Sequence, residues 1–208
     1  MFIGHLAGAE ALHAVFPEVP TWVSLVGIGF PDLLWGVTVL AGIERAEMGK
    51  SPLQRDVVFS HYPYSHSLVL THIIALVPAV AIGLALDWRA GLVFWLASLS
   101  HWLLDVIVHL RDLPVLGFGR DTKVGFGLWR NGPLAFFVEY AVVAAATLAF
   151  EPSGRWLWIL AVAALFHAVN ANSFFGFTKT NPIASSKAYA AIGLVSFVAL
   201  AAAFAWLI

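Results

Sequence analysis

The sequence predicts an all-α fold, a polytopic transmembrane bundle of six to seven helices, and three observations lead to this prediction. Hydrophobic residues make up 61% of the 208 residues and charged residues only 11%, whereas an average soluble domain is roughly one quarter charged. The apolar residues form stretches of about 20, which is the length that crosses a hydrocarbon core. Lysine and arginine concentrate in every second connection between these stretches.

Six stretches have, or nearly have, the length of a membrane span. They are Thr21–Ile43, His66–Leu86, Ala90–Leu110, Pro133–Phe150, Trp156–Phe177 and Ala188–Ile208. A shorter stretch, Phe2–Phe16, precedes them and is stopped by Pro17 and Pro20. It is compatible with a short seventh span, a re-entrant helix or an interfacial helix. We expect a single domain over residues 1–208, with the candidate site in residues 1–130 and three further helices in residues 131–208.

The distribution of basic residues predicts the orientation in the membrane. Loops 44–65, 111–132 and 178–187 hold three, four and two of the eleven Lys and Arg residues, and the other two are Arg89 and Arg155. Because basic loops stay in the cytoplasm, the three richer loops are predicted to be cytoplasmic. The net charge of −1 offers no basic face for nucleic acid. Without cysteine, disulfides and thiolate metal ligands are excluded.

The third stretch carries ionisable side chains, which are costly inside a membrane, by about 2.5 kcal/mol or more each at its centre. His101 and Asp105 have i, i+4 spacing and therefore share one helix face, and His109 repeats the spacing. In a protein without cysteine, imidazole and carboxylate are the usual zinc ligands. The alternative is a buried His–Asp pair that only joins helices.

Further candidates come from three other segments. Asp32 follows Pro31, which is expected to kink the helix, and it is either a metal ligand or a protonated carboxyl bonded to a neighbouring helix. His61 and His66 are five residues apart, where a basic loop enters the second stretch, and could converge on one ion. With the orientation above, these groups and His5 lie toward the cytoplasmic side, so one common metal centre is predicted.

At these residues the chain resembles a bacterial family of inner-membrane proteins, the LexA-binding, membrane-bound metal-dependent hydrolases. The similar pieces span about residues 3–130 and come in the family's order: Gly4-His5, Pro31-Asp32, an H-x-x-x-[ST]-H-S box from His61 to Ser67, Ser100-His101 to Asp105, and a basic, aromatic stretch from Gly117 to Trp129. The order is also similar to that of zinc-dependent phospholipase C. The resemblance implies a bacterial inner-membrane location and five metal ligands: His5, Asp32, His66, His101 and Asp105.

Two positions depart from the family pattern. Members often have a second acidic residue two positions after Pro-Asp, where this chain has Leu34, and their His box usually reads H-R-G, where this chain has His61-Tyr62-Pro63. The missing carboxylate is one that a second metal ion would use. The missing arginine is a natural clamp for anions.

The predicted activity is metal-dependent hydrolysis of a lipid ester or phosphoester at the cytoplasmic leaflet, with zinc as the divalent ion. Asp32, His61 and Asp105 are the predicted catalytic groups, as acids or bases. The basic residues after the third stretch are predicted to hold an anionic head group, or else only to set the topology; they are Arg111, Arg120, Lys123 and Arg130. A transporter or proton pathway, which also uses intramembrane His and Asp, and a non-catalytic membrane scaffold are the alternative functions.

Overall fold

The computed structural model describes residues 1–151, 154–183 and 185–207, and their regular structure is almost entirely helical. In these residues there are nine α-helices: α1 (Leu6–Val15), α2 (Thr21–Leu40), α3 (Pro63–His66), α4 (Leu70–Ala85), α5 (Trp88–Val108), α6 (Gly132–Phe150), α7 (Trp156–Val169), α8 (Asn172–Phe175) and α9 (Ser186–Leu207). Two short antiparallel pairs lie in the loops: β1 (Arg45–Glu47) with β2 (Val58–His61), and β3 (Leu113–Pro114) with β4 (Lys123–Val124). The predicted all-α class is confirmed.

Four helices are long and apolar enough to cross a membrane, namely α2, α5, α6 and α9. Their 19–22 residues correspond to roughly 28–33 Å at the usual helical rise. Helices α4 and α7 are equally apolar but have only 16 and 14 residues. Helix α1 has ten residues, so the N-terminal stretch is a short helix packed against α2 and α6.

Three of the six predicted stretches are shorter in the structure than in the prediction, and the first ends at Leu40 rather than Ile43. The second begins at Leu70 rather than His66, because the backbone N–H groups of Leu68, Val69 and Leu70 donate to the carbonyls of residues 114–116. His66 therefore ends a separate one-turn helix, α3. The fifth ends at Val169, where a turn leads into α8.

The outer surface of the bundle is rich in large apolar side chains. Leu84, Val195 and Trp206 are 85%, 70% and 82% exposed, and many other aliphatic and aromatic residues on the long helices are similarly uncovered. A water-soluble protein rarely exposes contiguous apolar surface on this scale. This surface fits contact with lipid chains, which agrees with membrane association.

Close helix contacts hold α5 against its two neighbours. A Cβ atom on Gly91 of α5 would clash with the carbonyl oxygen of Ala79 on α4, and a Cβ on Gly27 of α2 would lie 2.6 Å from the carbonyl oxygen of Phe94 on α5. Small residues allow this close approach, which is how membrane helices gain packing energy without a hydrophobic driving force. Helix α5 is thereby fixed between α2 and α4.

The three basic loops share one end of the bundle. Arg55 Nη1 donates to the carbonyl of Arg130 at 3.3 Å, and Asn181 N donates to the carbonyl of Lys50 at 2.8 Å. At the opposite end Arg89 pairs with Glu18 at 3.0 Å. The alternating charge pattern of the sequence thus corresponds to two physical ends of the molecule, and we call the first of these the basic end.

Candidate metal centre

Histidine and aspartate side chains from four segments meet in the half of the bundle nearer the basic end. The members come from the 3₁₀ turn before α1, from the second half of α2, from α3 and from the last two turns of α5. They are His5, Asp32, His66, His101 and Asp105. All five predicted metal ligands are therefore brought together.

Asp105 is the centre of this cluster and is 1% exposed. Its Oδ1 lies 3.2 Å from His5 Nε2, and its Oδ2 lies 3.2 Å from His101 Nε2 and 3.7 Å from His66 Nε2. His109, one turn further along α5, places Nε2 3.6 Å from the same Oδ2. Oδ1 thus faces one imidazole nitrogen, and Oδ2 faces three.

Asp32 supplies a second carboxylate on the other side of the imidazoles. Its Oδ1 lies 3.4 Å from His66 Nε2 and 4.0 Å from His101 Nε2. Its side chain keeps 30% of its exposure and lines a cavity described below. Two ligand triads therefore share His101: one with His5 and Asp105, the other with Asp32 and His66.

The orientation of His101 is set by a backbone carbonyl. His101 Nδ1 lies 2.6 Å from the carbonyl oxygen of Ile28 on α2, one turn before Asp32. Because a carbonyl oxygen can only accept, Nδ1 carries the proton and Nε2 of the neutral ring has a lone pair. That lone pair faces carboxylate oxygens, which are also acceptors. A cation or an extra proton is needed between them.

His66 is held by the groups around α3. Its Nδ1 lies 2.8 Å from Ser65 Oγ, and its carbonyl accepts from Trp102 Nε1 at 2.9 Å. The buried carboxylate of Glu44 caps α3, because Oε1 accepts from the backbone N–H of Tyr64 at 2.8 Å and of Ser65 at 3.0 Å. The role of Glu44 was not predicted, since nothing in the local sequence links a residue just after one span to the start of a helix 20 residues later.

His5 and the residues before it are enclosed by α5 and α6. The imidazoles of His5 and His101 stack with centroids 3.6 Å apart, and neither nitrogen of His5 has a hydrogen-bond partner among the described residues. The α-amino group of Met1 contacts Asp105, and Phe2 N donates to Glu139 Oε2 at 2.9 Å. Glu139 Oε1 is buried without a hydrogen-bond partner in the described part of the chain.

A cavity of about 380 Å³ adjoins the cluster. Its carboxylates and imidazoles are those of Asp32, His66, Asp105, His109 and Glu139, and the rest of the wall is mostly apolar, with amide and hydroxyl side chains such as those of Asn170, Asn172, Ser173 and Asn181. In the sequence Glu139 is an ionisable residue within the predicted span Pro133–Phe150. Its place in the wall depends on how α6 packs against the N-terminal turn, which no sequence spacing reveals.

The structure does not bring the other predicted site residues to the cluster. His61 is exposed on β2, where it pairs with Arg45 and its ring contacts Tyr64, because strand pairing turns this part of the loop outward. Four predicted substrate-binding residues, Arg111, Arg120, Lys123 and Arg130, are also exposed and line no part of the cavity wall described here. Lys123 Nζ instead lies 5.5 Å from the centre of the Tyr62 ring. His109, rather than His61, is the additional imidazole beside Asp105.

The cluster could hold a metal ion by four criteria. Its donors are the nitrogen and oxygen types that zinc accepts, and atoms bound at about 2.0–2.1 Å in a tetrahedral shell lie roughly 3.3 Å apart, close to several of the separations above. Furthermore, His5 Nε2 and His101 Nε2 approach carboxylate oxygens at 3.2 Å without forming hydrogen bonds. The ring nitrogen of His101 opposite the cluster is anchored, as is usual for ligating histidine.

Comparisons with protein-family models, with curated proteins and with solved structures found no match for this chain. The interpretation of the site therefore rests on its geometry and on the chemistry of its side chains.

Proposed function

We propose that this protein is a membrane-embedded, metal-dependent hydrolase that acts on a lipid or phosphoester. One observation carries the proposal: the lone pair of His101 Nε2 faces the carboxylates of Asp32 and Asp105 in a buried site. Such an arrangement of acceptors calls for a cation or an extra proton between them, and the proposal assigns this place to a divalent ion. The resemblance to membrane-bound metal-dependent hydrolases implies the same five ligands, and this agreement supports the proposal.

In this proposal His5, Asp32, His66, His101 and Asp105 hold a divalent ion, zinc by ligand type. When bound, such an ion acts as a Lewis acid and lowers the pKa of a water molecule to about 7. The carbonyl of Ile28 and the hydroxyl of Ser65 keep the two imidazoles in place. The surrounding helices exclude bulk water from all of these groups except Asp32.

Glu139 is the group we propose for proton transfer. Phe2 N–H fixes one of its oxygens, and the other is buried in the wall of the cavity, with no hydrogen-bond partner among the residues that the structure describes. A carboxylate in this setting can accept a proton from water and return it to a leaving group. Asp32, the more exposed of the two aspartates, is the second candidate for this role.

We further propose that the basic end faces the cytoplasm across a bacterial inner membrane. Nine of the eleven Lys and Arg residues lie in the three loops of this end, and cytoplasmic loops carry such an excess. The site would then open toward the inner leaflet. In this arrangement the four loop cations predicted to bind substrate act on topology and on anionic lipid surfaces near the entrance.

Metal content is the direct test of the proposal. Purified wild-type protein is expected to hold about one zinc ion per chain, and His101→Ala to lose it. His167→Ala is a matched control, because His167 is also buried, bonds a backbone carbonyl (Phe136, 2.8 Å) and stacks on an aromatic ring. Wild-type protein without any bound transition metal would end the hydrolase proposal.

Activity is measured on generic phosphodiester and carboxylic ester substrates. Hydrolysis by the wild type is expected to disappear with a chelator and to return with zinc. Glu139→Gln is expected to keep the metal and lose hydrolysis, since the amide cannot take up a proton. If the protein binds metal but hydrolyses the substrate equally well with the chelator present, the proposed chemistry is contradicted.

A further inference from the structure

The cavity beside the metal centre follows one face of α9. Tyr189, Ile192, Gly193, Ser196 and Phe197 all line it, and their spacing of i, i+3, i+4, i+7 and i+8 places them on a single stripe of the helix. The stripe adds the apolar side chains of Ile192 and Phe197 to the same cavity that the ionisable groups line. The cavity therefore combines a charged part with an apolar part.

Residues of α7 and α8 form the wall opposite α9. Phe166 and Val169 come from the last turn of α7, and Phe174 comes from α8. Phe174 is 3% exposed, whereas Val169 is 80% exposed. The wall thus runs from a closed inner part to an open rim.

The rim lies between the end of α7 and the first turns of α9. Val169 and Ile192 are exposed there, and a Cβ atom added at Gly193 would meet no atom within 4 Å. Val169 and Ile192 belong to the apolar outer surface that fits lipid chains, and the amides of Asn170, Asn172 and Asn181 also line the cavity. A ligand can therefore reach the cluster from the side, along a mostly apolar wall.

We propose that this cavity binds one hydrocarbon chain of a membrane lipid, which enters between α7 and α9 and brings its polar head group to the metal centre. This inference rests on the proposed function and names its substrate class. Burial of each methylene group favours binding, and the cluster together with Glu139 supplies the carboxylates and imidazoles of this wall. The volume of about 380 Å³ is at the small end of ligand pockets, roughly 300–1,000 Å³, which suits one chain rather than a whole two-chain lipid.

Photo-crosslinking tests where a lipid chain lies. The full-length protein is placed in nanodiscs of phosphatidylcholine and phosphatidylglycerol that contain a phospholipid with a diazirine in one acyl chain. After irradiation, mass spectrometry is expected to find crosslinks on Ser196 and Phe166 inside the cavity, in addition to those on the outer face, such as Val195. Outer-face crosslinks provide the internal reference for labelling efficiency.

Gly193→Phe is the variant that separates the cavity from the outer surface. Its ring has free space to enter, so it is expected to reduce cavity crosslinks roughly tenfold, because loss of even two buried methylene contacts changes an affinity by about that factor. Val195→Phe is the matched control on the exposed face of α9 and is expected to change nothing. If Gly193→Phe does not fold, Ser196→Leu serves the same purpose.

The two proposals fail in different ways. If the protein binds zinc but the cavity residues are not crosslinked, or are crosslinked equally in Gly193→Phe, the chain-binding inference is overturned and the metal centre stands. If cavity crosslinks are lost in Gly193→Phe but no metal is bound, the chain site stands and the hydrolase proposal is overturned. Unchanged zinc content in Gly193→Phe is expected, because Gly193 is not one of the proposed ligands and a Cβ added there would meet no atom within 4 Å.

Discussion

Individual side chains at the metal centre depend on partners outside it. His101 is directed by the carbonyl of Ile28, and His66 by Ser65 and by the helix that Glu44 caps. Two carboxylates, Asp32 and Asp105, lie within reach of the same imidazole, and such groups are stable away from water only with compensating positive charge. Orientation and charge together make this position suitable for a cation.

Glu44 is expected to control metal affinity although it lies outside the ligand set. In Glu44→Ala, the N–H groups of Tyr64 and Ser65 lose their acceptor, so α3 and His66 become less fixed. Loss of such supporting groups typically lowers metal affinity by about 10–100-fold. Competition with a fluorescent zinc chelator measures this. Glu47→Ala, in exposed β1, is the control, and equal affinities for both variants would contradict the positioning role.

Helix packing determines where the cluster forms. Helix α5 carries both His101 and Asp105, and its position depends on the two glycine contacts with α2 and α4. Helix α7 is shorter than its neighbours, so the rim of the cavity stays open beside α9. The position of the site therefore depends on helix length and on small residues at helix contacts, as well as on the ligand residues.

Gly91→Ala is expected to destabilise the bundle. The added methyl would clash with the carbonyl oxygen of Ala79 and with Gly83, and overpacking of this kind costs about 1–3 kcal/mol. Thermal unfolding in detergent measures the change. In Gly193→Ala the added methyl has free space, and alanine favours a helix over glycine, so this control is expected to be at least as stable as the wild type. An equal loss of thermal stability in Gly91→Ala and Gly193→Ala would show that the close contact between α5 and α4 does not stabilise the bundle.

The whole molecule has two chemically different ends. The basic end holds three loops that bond to one another, and the opposite end holds Arg89 with Glu18. The apolar surface between them matches the interior of a bilayer. The candidate metal centre lies in the half of the bundle nearer the basic end, so the orientation of the protein would also decide which leaflet supplies the proposed lipid substrate.

Single cysteines can determine this orientation, because the chain contains no cysteine. In spheroplasts treated with a membrane-impermeant maleimide, Arg89→Cys is expected to react. Arg120→Cys and Lys179→Cys are expected to react only after the membrane is permeabilised, because all three positions are exposed and the last two belong to the basic end. The reverse pattern would place the site at the outer leaflet.

Much of the fold could be predicted because its signals are local. Neighbouring residues are enough to recognise an apolar stretch of span length and the i, i+4 spacing of His101 and Asp105. A count of Lys and Arg along the chain is enough to recognise the basic loops. Boundaries were less accurate where distant segments intervene: the second predicted stretch starts four residues later in the structure, since residues 68–70 bond to the strand region after α5. Backbone bonds between loops cannot be read from hydropathy.

By itself the sequence determined the helical class, the apolar surface and the chemical types of the candidate ligands, because composition and helical periodicity act over a few turns. Only the tertiary structure decided which of these groups meet. It placed Glu44 behind His66 and Glu139 in the cavity wall, and it left His61 and four loop cations at the surface. The physical reason is that spacing along one helix fixes a face, whereas proximity between helices depends on packing and loop geometry.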